Sequence, residues 1–370
     1  MSNAPVTILQ FGTSRFLQGH VDLFAAEAAG EGQDVGRIAV VQSTSSPRST
    51  RRVEALNREG GYPVVIRGNV GGTAVDREVT VDSIARAYQA ATDWAAIEHL
   101  FITDIRYVVS NTGDSGYALD SADGPKSAVP TSFPAKLLRL LQRRFEAGGA
   151  PLTIMPCELI NRNGDTLRGI VSGLAEDWGL GGAFTDWLAK DCLFVNSLVD
   201  RIASEAIEPV GVVVEPYALW AVEHQPGLVL PFRHPAVETV DQLLPYERLK
   251  LFILNLGHTV LADRWLTDGR PADETVRAAL GDDSVRAELD TIYDAEVLPV
   301  FAALGMGDQA AAYRRTVMVR FLNPFLDHRL ADIAGNHADK KERRIAPLIA
   351  LARDVCPDLP VPGLESVLGR

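Results

Sequence analysis

Cysteine and long apolar runs are both scarce in this chain, and each absence excludes a class of protein. Its 370 residues include three cysteines, Cys157, Cys192 and Cys356, too few for a disulfide framework or a cysteine-rich zinc site. No apolar run reaches the roughly 18 residues needed to span a bilayer, and the N-terminus lacks the pattern of a secretory signal. We therefore expect a cytoplasmic protein with no membrane partner.

Positive charge is also in short supply. Lysine and arginine number 36 against 48 aspartates and glutamates, so the net charge of −12 argues against broad binding to nucleic acid. The apolar fraction of 46% and the charged fraction of 23% are those of an ordinary globular protein. A chain of 370 residues is long enough for about two domains with separate cores.

Short apolar β-type runs alternate with helical patterns in the first part of the chain. The predicted strands are 6–11, 37–42, 105–110 and 152–156, and the predicted helices are 16–29, 83–101 and 134–147. This alternation predicts an α/β fold with a doubly wound parallel sheet. After a last β-type run at 210–214, helical periodicity dominates. We therefore predict a sheet domain over 1–240 and a mainly α-helical C-terminal domain over 241–370.

A glycine directly follows the first predicted strand and precedes the first predicted helix. Gly12 stands where a Rossmann-type fold places its phosphate loop, since glycine allows a tight turn and close backbone approach to a pyrophosphate. Ser14 and Phe16 occupy the positions of the second and third glycines of the usual pattern, so a plain strand-to-helix turn fits equally well. The candidate cofactor-binding residues of this segment are Gly12, Thr13, Ser14, Arg15 and Phe16.

The choice of cofactor depends on the segment after the second strand. An NAD-binding fold usually carries a carboxylate there, which binds the ribose hydroxyls. Here the sequence after Val41 is QSTSSPRSTRR, with no acid, and Gln42 and Ser43 are the candidate cofactor residues. The side chains that would suit the 2′-phosphate of NADP are Ser43, Thr44, Arg48, Arg51 and Arg52. A solvated basic loop is the alternative.

One predicted helix in the second half carries polar residues on an otherwise apolar surface. Residues 249–265 read LKLFILNLGHTVLADRW, and a helical projection places Lys250, Asn255 and His258 within about 140° of one another. A lysine buried there would have a lowered pKa and could act as a general base, while the amide and imidazole could stabilise a developing oxyanion. A lysine that reaches water and a satisfied core histidine are the alternatives. The three together favour a site.

The spacing of these three residues resembles the catalytic signature of the polyol-specific long-chain dehydrogenases/reductases, the mannitol dehydrogenase family. ILQFGTSRFLQGHVD is similar to the opening fingerprint of that family, and VVSNTGDSGY to its nicotinamide-side strand and loop. Further similar blocks are PCELINRNGDTL, FVNSLVDRI, VEPYALWAVE and RFLNPFLDHRLADIAGNHADKKERRIAPLI. The last block is most similar to tagaturonate reductases, and the chain is closest to the tagaturonate and fructuronate reductases.

The resemblance implies a metal-independent NAD(P)-dependent oxidoreductase with an NAD(P)-binding Rossmann-type domain and a helical substrate domain. It favours NAD, with NADP as the alternative. It implies that Lys250 is the acid/base, that Asn255 and His258 polarise the substrate oxygen, and that Asn111 and Thr112 lie by the cofactor. The implied substrate residues are Asn163, Asp200, Arg201, Lys340 and Arg344. The alternative for Asn163 is a helix cap, and the alternative for Asp200 and Arg201 is an ion pair with each other. For Lys340 and Arg344 the alternative is a solvated charged face.

We therefore expect hydride transfer between a nicotinamide and a tagaturonate- or fructuronate-like keto-sugar acid. A neutral polyol dehydrogenase of the mannitol or arabinitol type, a sugar-phosphate dehydrogenase and a non-catalytic nucleotide-binding sensor are the alternatives. The expected partner is a small-molecule sugar acid or polyol, bound by a monomer or a small homo-oligomer.

Overall fold

The computed structural model describes residues 4–44, 46–113 and 115–369, which group into two compact units. The first unit contains the residues up to Ile66 together with Arg77–Val214 and Ala218–Leu243. The second contains Arg67–Asp76, Glu215–Tyr217 and the residues from Leu244 onward. Two short stretches from before residue 240 therefore group with the helical residues, which a single boundary near residue 240 does not anticipate.

The strands lie in the first part of the chain. They are β1 Val6–Phe11, β2 Arg37–Gln42, β3 Tyr62–Val70, β4 Thr73–Val81, β5 Ile84–Gln89, β6 Tyr107–Ser110, β7 Leu152–Pro156, β8 Cys192–Phe194, β9 Ser197–Asp200, β10 Ala203–Ala206, β11 Val212–Val214, β12 Leu219–Glu223 and β13 Val237–Val240.

The largest sheet has the strand order β5-β2-β1-β6-β7-β8, and its neighbouring strands pair in parallel. The chain leaves β1 toward one edge through β2 and β5, then returns to the other side of β1 with β6. The order reverses between β1 and β6, which is the point where such sheets bind ligands. Residues such as Ile8, Val40 and Val108 are fully buried, as expected of a sheet covered on both faces. The predicted doubly wound parallel sheet is confirmed.

Helices flank this sheet within the first unit. They are α1 Arg15–Gln18, α2 Val21–Gly30, α3 Pro47–Leu56, α4 Ala90–Thr103, α5 Phe133–Glu146, α6 Asn163–Asp177 and α7 Gly181–Asp191. The single helix predicted over 16–29 is divided between α1 and α2. The break falls at Gly19, where a Cβ would lie 2.4 Å from Val214 Cγ1, so the chain packs too closely against β11 for any larger residue.

The helix predicted over 83–101 is wrong in its first part. Residues Ile84–Gln89 form β5, and α4 starts at Ala90. The apolar residues Ile84, Tyr88 and Ala91 do have helical spacing. Ile84 and Tyr88 nevertheless pair with Ile38 and Val41 of β2, because an edge of the sheet lies beside them. Tertiary pairing here overrides the local pattern.

Two smaller sheets were not predicted. Their strand orders are β10-β11-β3-β4 and β13-β12-β9. β3 and β4 are joined through Gly71 and Gly72, whose φ angles of 57° and 87° suit a tight hairpin turn that other residues adopt with strain.

The second unit is mainly helical. Its elements are α8 Leu244–Leu249, a π-helical segment Lys250–Asn255, α9 Leu256–Asp268, α10 Val276–Ala279, α11 Asp283–Ile292, a second π-helical segment Tyr293–Val297, α12 Leu298–Ala303, α13 Gly307–Phe321, α14 Leu330–Ile333, α15 His337–Arg344, α16 Ala346–Val355 and α17 Pro362–Leu368. Its core includes the fully buried Leu256, Leu289, Tyr293 and Phe301. Among the described helices, none combines the length and apolar character that a membrane crossing requires.

Candidate active site

The glycine turn, residues Gly12–Phe16, leaves β1 at the point where the strand order reverses. Gly12 has a φ of +111°, and a Cβ placed on it would lie 2.5 Å from the backbone oxygen of Asn111. Asn111 itself follows the neighbouring strand β6. Glycine is required here both by the backbone conformation and by the close approach of the two strand ends.

Ser14 stands at the position of the second glycine and connects the ends of two strands. Its hydroxyl accepts a hydrogen bond from the Leu17 amide at 3.2 Å, as a cap of α1 does, and donates to Asn111 Oδ1 at 3.1 Å. Asn111 in turn donates from Nδ2 to the Cys157 carbonyl at 2.7 Å, just after β7. The serine therefore holds together the loops that follow β1, β6 and β7.

The other predicted residues of the turn differ in their surroundings. Thr13 is buried and its hydroxyl donates to Gln42 Oε1, which lies at the end of β2. Phe16 stacks on the His20 ring with 4.6 Å between ring centroids, and Arg15 is exposed. The turn thus brings Gln42 and Ser43 to the same edge of the sheet as Gly12.

Thr112 is held by a buried carboxylate that the sequence analysis did not select. The Thr112 amide and hydroxyl donate to Glu158 Oε1 at 3.0 and 2.9 Å, and Ser110 donates to Glu158 Oε2 at 2.9 Å. Burial raises the pKa of the Glu158 carboxyl, while the hydrogen bonds from Thr112 and Ser110 oppose that rise. The sequence feature that indicates Glu158 is its position two residues after the end of the buried strand β7.

These residues fit a dinucleotide cofactor. A glycine cradle that a Cβ would fill lies at the reversal point of the sheet, where a pyrophosphate approaches the backbone in this fold. Asn111 and Thr112 lie at the end of β6, the next strand, where the nicotinamide half binds in such sheets. Ser43 Oγ, at the end of β2, is buried without a hydrogen-bond partner within the described part of the chain.

Asn163, predicted to contact the substrate, is enclosed by backbone partners. Its Nδ2 lies 3.0, 3.2 and 2.9 Å from the carbonyl oxygens of Pro156, Glu158 and Ser197, and its Oδ1 accepts from the amides of Gly164 and Ser197. Every polar atom of this buried side chain is therefore engaged. The arrangement favours a structural role for Asn163, which is the first residue of α6 and not the helix cap named as the alternative.

Asp200 and Arg201 lie at the end of β9. Asp200 is buried, and Arg201 Nη1 donates to the Gly19 carbonyl at 2.7 Å in the break between α1 and α2. The Arg201 guanidinium also lies 6.0 Å from the centroid of the Phe24 ring. Arg201 thus stabilises the polypeptide just beyond the glycine turn.

The lysine helix, Leu244–Asp268, contains Lys250, Asn255 and His258 in the second unit. The segment from Lys250 to Asn255 is π-helical, and the Leu256 amide bonds to the Leu251 carbonyl five residues back. A regular helix would turn Asn255 away from Lys250, whereas the wider π turn rotates it back toward the same side. Such turns occur frequently at functional sites.

Tyr293 stabilises this π turn from outside the helix. Its hydroxyl donates to the Ile253 carbonyl at 2.7 Å, and the whole side chain is buried. Gly257 leaves the required space, because a Cβ on Gly257 would lie 2.0 Å from the Tyr293 hydroxyl oxygen. Neither residue was predicted to matter for the site, since this contact joins residues distant in sequence.

The three polar residues of the lysine helix are buried to different extents. His258 is 7% exposed, whereas Lys250 and Asn255 are half-buried. Burial lowers the pKa of His258 well below its ordinary value, and the nearby charge of His328 lowers it further. The imidazole is therefore neutral, and its Nε2 is buried with no partner among the described residues. A neutral imidazole can donate one ring N–H to a ligand.

Cationic side chains surround this neutral imidazole. The groups whose charge depresses the pKa of His258 include Arg320, Arg344 and Lys340. Arg344 Nη1 donates to Thr259 Oγ1 at 3.2 Å and, at 3.4 Å, to the backbone oxygen of Asn255. Lys340 Nζ donates to the Ile333 carbonyl at 2.8 Å. The structure thus brings Lys340 and Arg344 to His258, as two half-buried residues one turn apart on α15.

Arg320 forms an ion pair that the sequence analysis missed. Arg320 Nη2 lies 2.8 Å from Glu215 Oε1, and both side chains are almost fully buried. The guanidinium also lies 4.2 Å from the centroid of the Tyr217 ring. Glu215 therefore neutralises Arg320 at close range.

The doubly wound parallel sheet with its glycine turn is the fold of a dinucleotide-binding domain. The sequence matches the mannitol dehydrogenase Rossmann domain over residues 6–229 and the mannitol dehydrogenase C-terminal domain over residues 242–358. The chain therefore belongs to the mannitol dehydrogenase family, and it is an NAD-dependent dehydrogenase that acts on CH–OH groups. The predicted family, enzyme class and cofactor are confirmed.

Several curated relatives are altronate oxidoreductases. An altronate oxidoreductase of Bacillus subtilis (strain 168) is 33% identical over 369 residues, which cover 93% of this chain and 75% of the relative. An altronate oxidoreductase of Yersinia pestis is 33% identical over 370 residues, covering 93% of this chain and 74% of the relative.

Two solved structures are similar in fold. A D-sorbitol dehydrogenase in substrate-free form has a TM-score of 0.79 at 22% identity and covers 95% of this chain, with 77% of its own length matched. The Pseudomonas fluorescens mannitol 2-dehydrogenase ternary complex with NAD and D-mannitol has a TM-score of 0.79 at 20% identity, covering 99% of this chain and 78% of its own.

Proposed function

We propose that this dehydrogenase interconverts a tagaturonate- or fructuronate-like keto-sugar acid and its secondary alcohol, with Lys250 as the acid/base. In this proposal residues 1–240 bind the dinucleotide and residues 241–370 supply the catalytic and substrate-binding groups. The observation that carries it is the set of cations, Arg344 and Lys340 above all, around the neutral His258. The altronate oxidoreductases among the curated relatives act, by their name, on a sugar acid.

The charge around His258 favours an anionic substrate over a neutral polyol. A neutral sugar offers two half-buried cations no opposite charge to interact with. A carboxylate would accept charge-assisted hydrogen bonds from Arg344 and Lys340. A sugar phosphate would use the same cations, and for this reason it remains the second candidate.

Proton transfer is assigned to Lys250. In the reducing direction NADH, when bound, would supply the hydride that the carbonyl carbon accepts. Lys250 gives a proton to the carbonyl oxygen, and in the oxidising direction the neutral amine takes the hydroxyl proton back. Asn255 and His258 donate hydrogen bonds to the same oxygen, because its negative charge develops before the proton arrives.

The neutrality of His258 matters for this role. An imidazolium would add another positive charge beside Arg344 and Lys340 and would compete with Lys250 as the proton donor. Burial keeps the imidazole uncharged, so it stabilises the oxygen by one N–H while the proton comes from the lysine.

A substrate panel tests the proposal. Purified protein is assayed with NADH on ketouronates, neutral ketoses and ketose phosphates of matched stereochemistry. We expect kcat/KM for the best ketouronate to exceed that for every neutral ketose and ketose phosphate by about tenfold or more, because a carboxylate contact is worth at least that factor. A higher kcat/KM for a neutral ketose or a ketose phosphate would overturn the proposed substrate class.

A pair of neighbouring arginines on α15 sharpens the test. Arg344 is half-buried near His258, whereas Arg343 is exposed. Arg344→Gln should raise KM for the ketouronate about tenfold and leave KM for a neutral ketose within twofold. Arg343→Gln removes the same charge from the same helix and should leave both KM values within twofold.

A further inference from the structure

The end of β2 in the first unit lacks the carboxylate that usually binds the adenosine ribose of NAD. The last residue of β2 is Gln42, and Ser43 and Thr44 follow it. Ser43 Oγ is buried, and within the described residues it has no hydrogen-bond partner. An unsatisfied hydroxyl at this position is a donor without an acceptor, at the place where a ribose substituent would lie.

Three arginines line one cavity beside this strand end. The cavity measures about 530 Å³ and is lined by Arg48, Arg51, Arg52, Glu208 and Pro209. Arg48, Arg51 and Arg52 are three and four residues apart on α3, so their side chains share one face of that helix. A volume of this size is within the range of small-molecule sites.

Arg52 connects the cavity to the glycine turn. Its Nη1 donates to the Thr13 carbonyl at 3.1 Å, and the Thr13 hydroxyl in turn donates to Gln42. The cavity therefore lies beside the residues that cradle the pyrophosphate, on the side of the adenosine ribose.

The cavity carries more positive charge than its one acid can balance. Arg48 Nη2 is 3.9 Å from Glu208 Oε1, an exposed pair of little strength. Arg51 makes no hydrogen bond or ion pair to any described residue. Burial lowers the pKa of Arg52, and the neighbouring positive charge of Arg48 lowers it further, while Glu208 acts in the opposite direction.

We propose that this cavity binds the 2′-phosphate of the adenosine ribose, so that the enzyme binds NADP(H) as well as NAD(H). Arg48 and Arg51 would each donate hydrogen bonds to phosphate oxygens, for which the planar guanidinium is well shaped. The Ser43 hydroxyl would donate a further bond to the phosphate. The proposal depends on the dinucleotide fold and not on the identity of the sugar substrate.

Binding of two nucleotide fragments tests the proposal without any turnover. Isothermal titration calorimetry compares AMP with adenosine 2′,5′-bisphosphate, which differ only in the 2′-phosphate. We expect the bisphosphate to bind the wild-type protein about tenfold or more tightly, and the advantage to shrink as salt is raised. Equal affinities for the two fragments at low salt would overturn the proposal.

Variants of α3 test whether Arg48 and Arg51 bind the 2′-phosphate. The double variant Arg48→Ala/Arg51→Ala should bring the two affinities to within about twofold of each other, and AMP affinity should stay unchanged. Arg58→Ala serves as the control, because Arg58 is an exposed arginine just beyond the other end of α3 and does not line the cavity. An equal loss of bisphosphate affinity in Arg58→Ala and in the double variant would contradict a specific site.

A substitution that introduces a negative charge tests the proposal independently. Ser43→Asp places a carboxylate where an NAD-specific fold carries one, and it would repel the 2′-phosphate. We expect bisphosphate affinity to fall at least tenfold, whereas AMP affinity should be kept or rise, because the new carboxylate can accept hydrogen bonds from the ribose hydroxyls. Unchanged bisphosphate affinity in this variant would show that the 2′-phosphate does not lie at the end of β2.

Discussion

The glycine turn of the first unit and the lysine helix of the second position their functional groups by different means. In the turn, the decisive features belong to the backbone: the φ of Gly12 and the closeness of the Asn111 carbonyl. In the helix they belong to side chains, whose directions depend on one π turn between Lys250 and Asn255. The first arrangement follows from strand order, whereas the second needs a specific buried contact from Tyr293.

This difference explains which substitutions each region tolerates. Ser14 stands at the position of the second glycine, and the backbone there still makes the turn. Its hydroxyl also forms hydrogen bonds with Leu17 and Asn111. Under the proposed function Lys250, Asn255 and His258 have no such latitude, since each proposed role needs a particular side chain. Four substitutions test the contrast.

Among these four substitutions, the largest effect is expected at Gly12. Gly12→Ala places a Cβ 2.5 Å from the Asn111 carbonyl in a backbone conformation that alanine adopts with strain. NADH affinity should fall by about a hundredfold or more, measured by fluorescence titration. Gly30→Ala is the control, because nothing lies within 4 Å of a Cβ there. Wild-type affinity in Gly12→Ala would show that the turn does not set cofactor binding.

His258 should come next. His258→Leu removes the buried donor and should lower kcat about a hundredfold with NADH affinity unchanged, because one oxyanion-stabilising bond is lost. His258→Gln keeps an N–H donor and should recover part of that loss. If the leucine and glutamine variants have equal kcat, hydrogen bonding by His258 is not its role, and packing against Phe321 would explain the loss instead.

Tyr293 tests whether the π turn matters. Tyr293→Phe removes the hydrogen bond to the Ile253 carbonyl, which keeps the Leu256 amide as a donor, and should cost about 0.5–1.5 kcal/mol of stability. We expect kcat to fall by about tenfold, since Lys250 and Asn255 lose their alignment. Gly257→Ala, which displaces the same hydroxyl, should give the same pattern. A change in melting temperature with kcat unaltered would separate the π turn from catalysis.

The smallest effect concerns a buried carboxyl in the first unit, in contrast to the paired Glu215 of the second. Asp22 is fully buried and accepts hydrogen bonds from Tyr62 at 2.9 Å and Gln10 at 3.5 Å. Burial raises the pKa of Asp22 from 3.8 to about 7, and the hydrogen bonds from Tyr62 and Gln10 oppose that rise.

The sign of the pH dependence follows from that rise. Between about pH 4 and pH 7 the native protein holds a proton on Asp22 that the unfolded chain has lost, so stability declines as the pH rises through this window. Asp22→Asn carries no charge and should gain about 2 kcal/mol over the wild type at pH 8 and little at pH 4. Thermal melts of both proteins at the two pH values measure this. An advantage of equal size at pH 4 and pH 8 would contradict it.

Local patterns sufficed for the parts of the fold that depend on neighbours in sequence. The strand–glycine–helix order at Gly12, the residues after β6 and the polar positions of the lysine helix are all visible in short segments. The doubly wound sheet follows from the alternation of such segments. The charged run also indicates Lys340 and Arg344 as candidate substrate residues. Only the structure shows that these two side chains are half-buried while Arg343 is exposed.

The features that were missed depend on distant residues. Ile84–Gln89 has helical spacing but pairs with β2. The Asn163 side chain donates its hydrogen bonds to carbonyl groups of β7 and β9. The Arg320–Glu215 pair joins residues far apart along the chain, and so does the hydroxyl of Tyr293 that supports the π turn. No local periodicity encodes these contacts.

The proton-transfer role of Lys250 is tested most directly by removing the amine and supplying it from solution. Lys250→Ala should lower kcat for ketouronate reduction by about a thousandfold, leave NADH affinity within about twofold, and recover part of its activity when methylamine is added. Activity within a few-fold of the wild type, or a thousandfold loss that methylamine does not relieve while NADH affinity also collapses, would contradict the account.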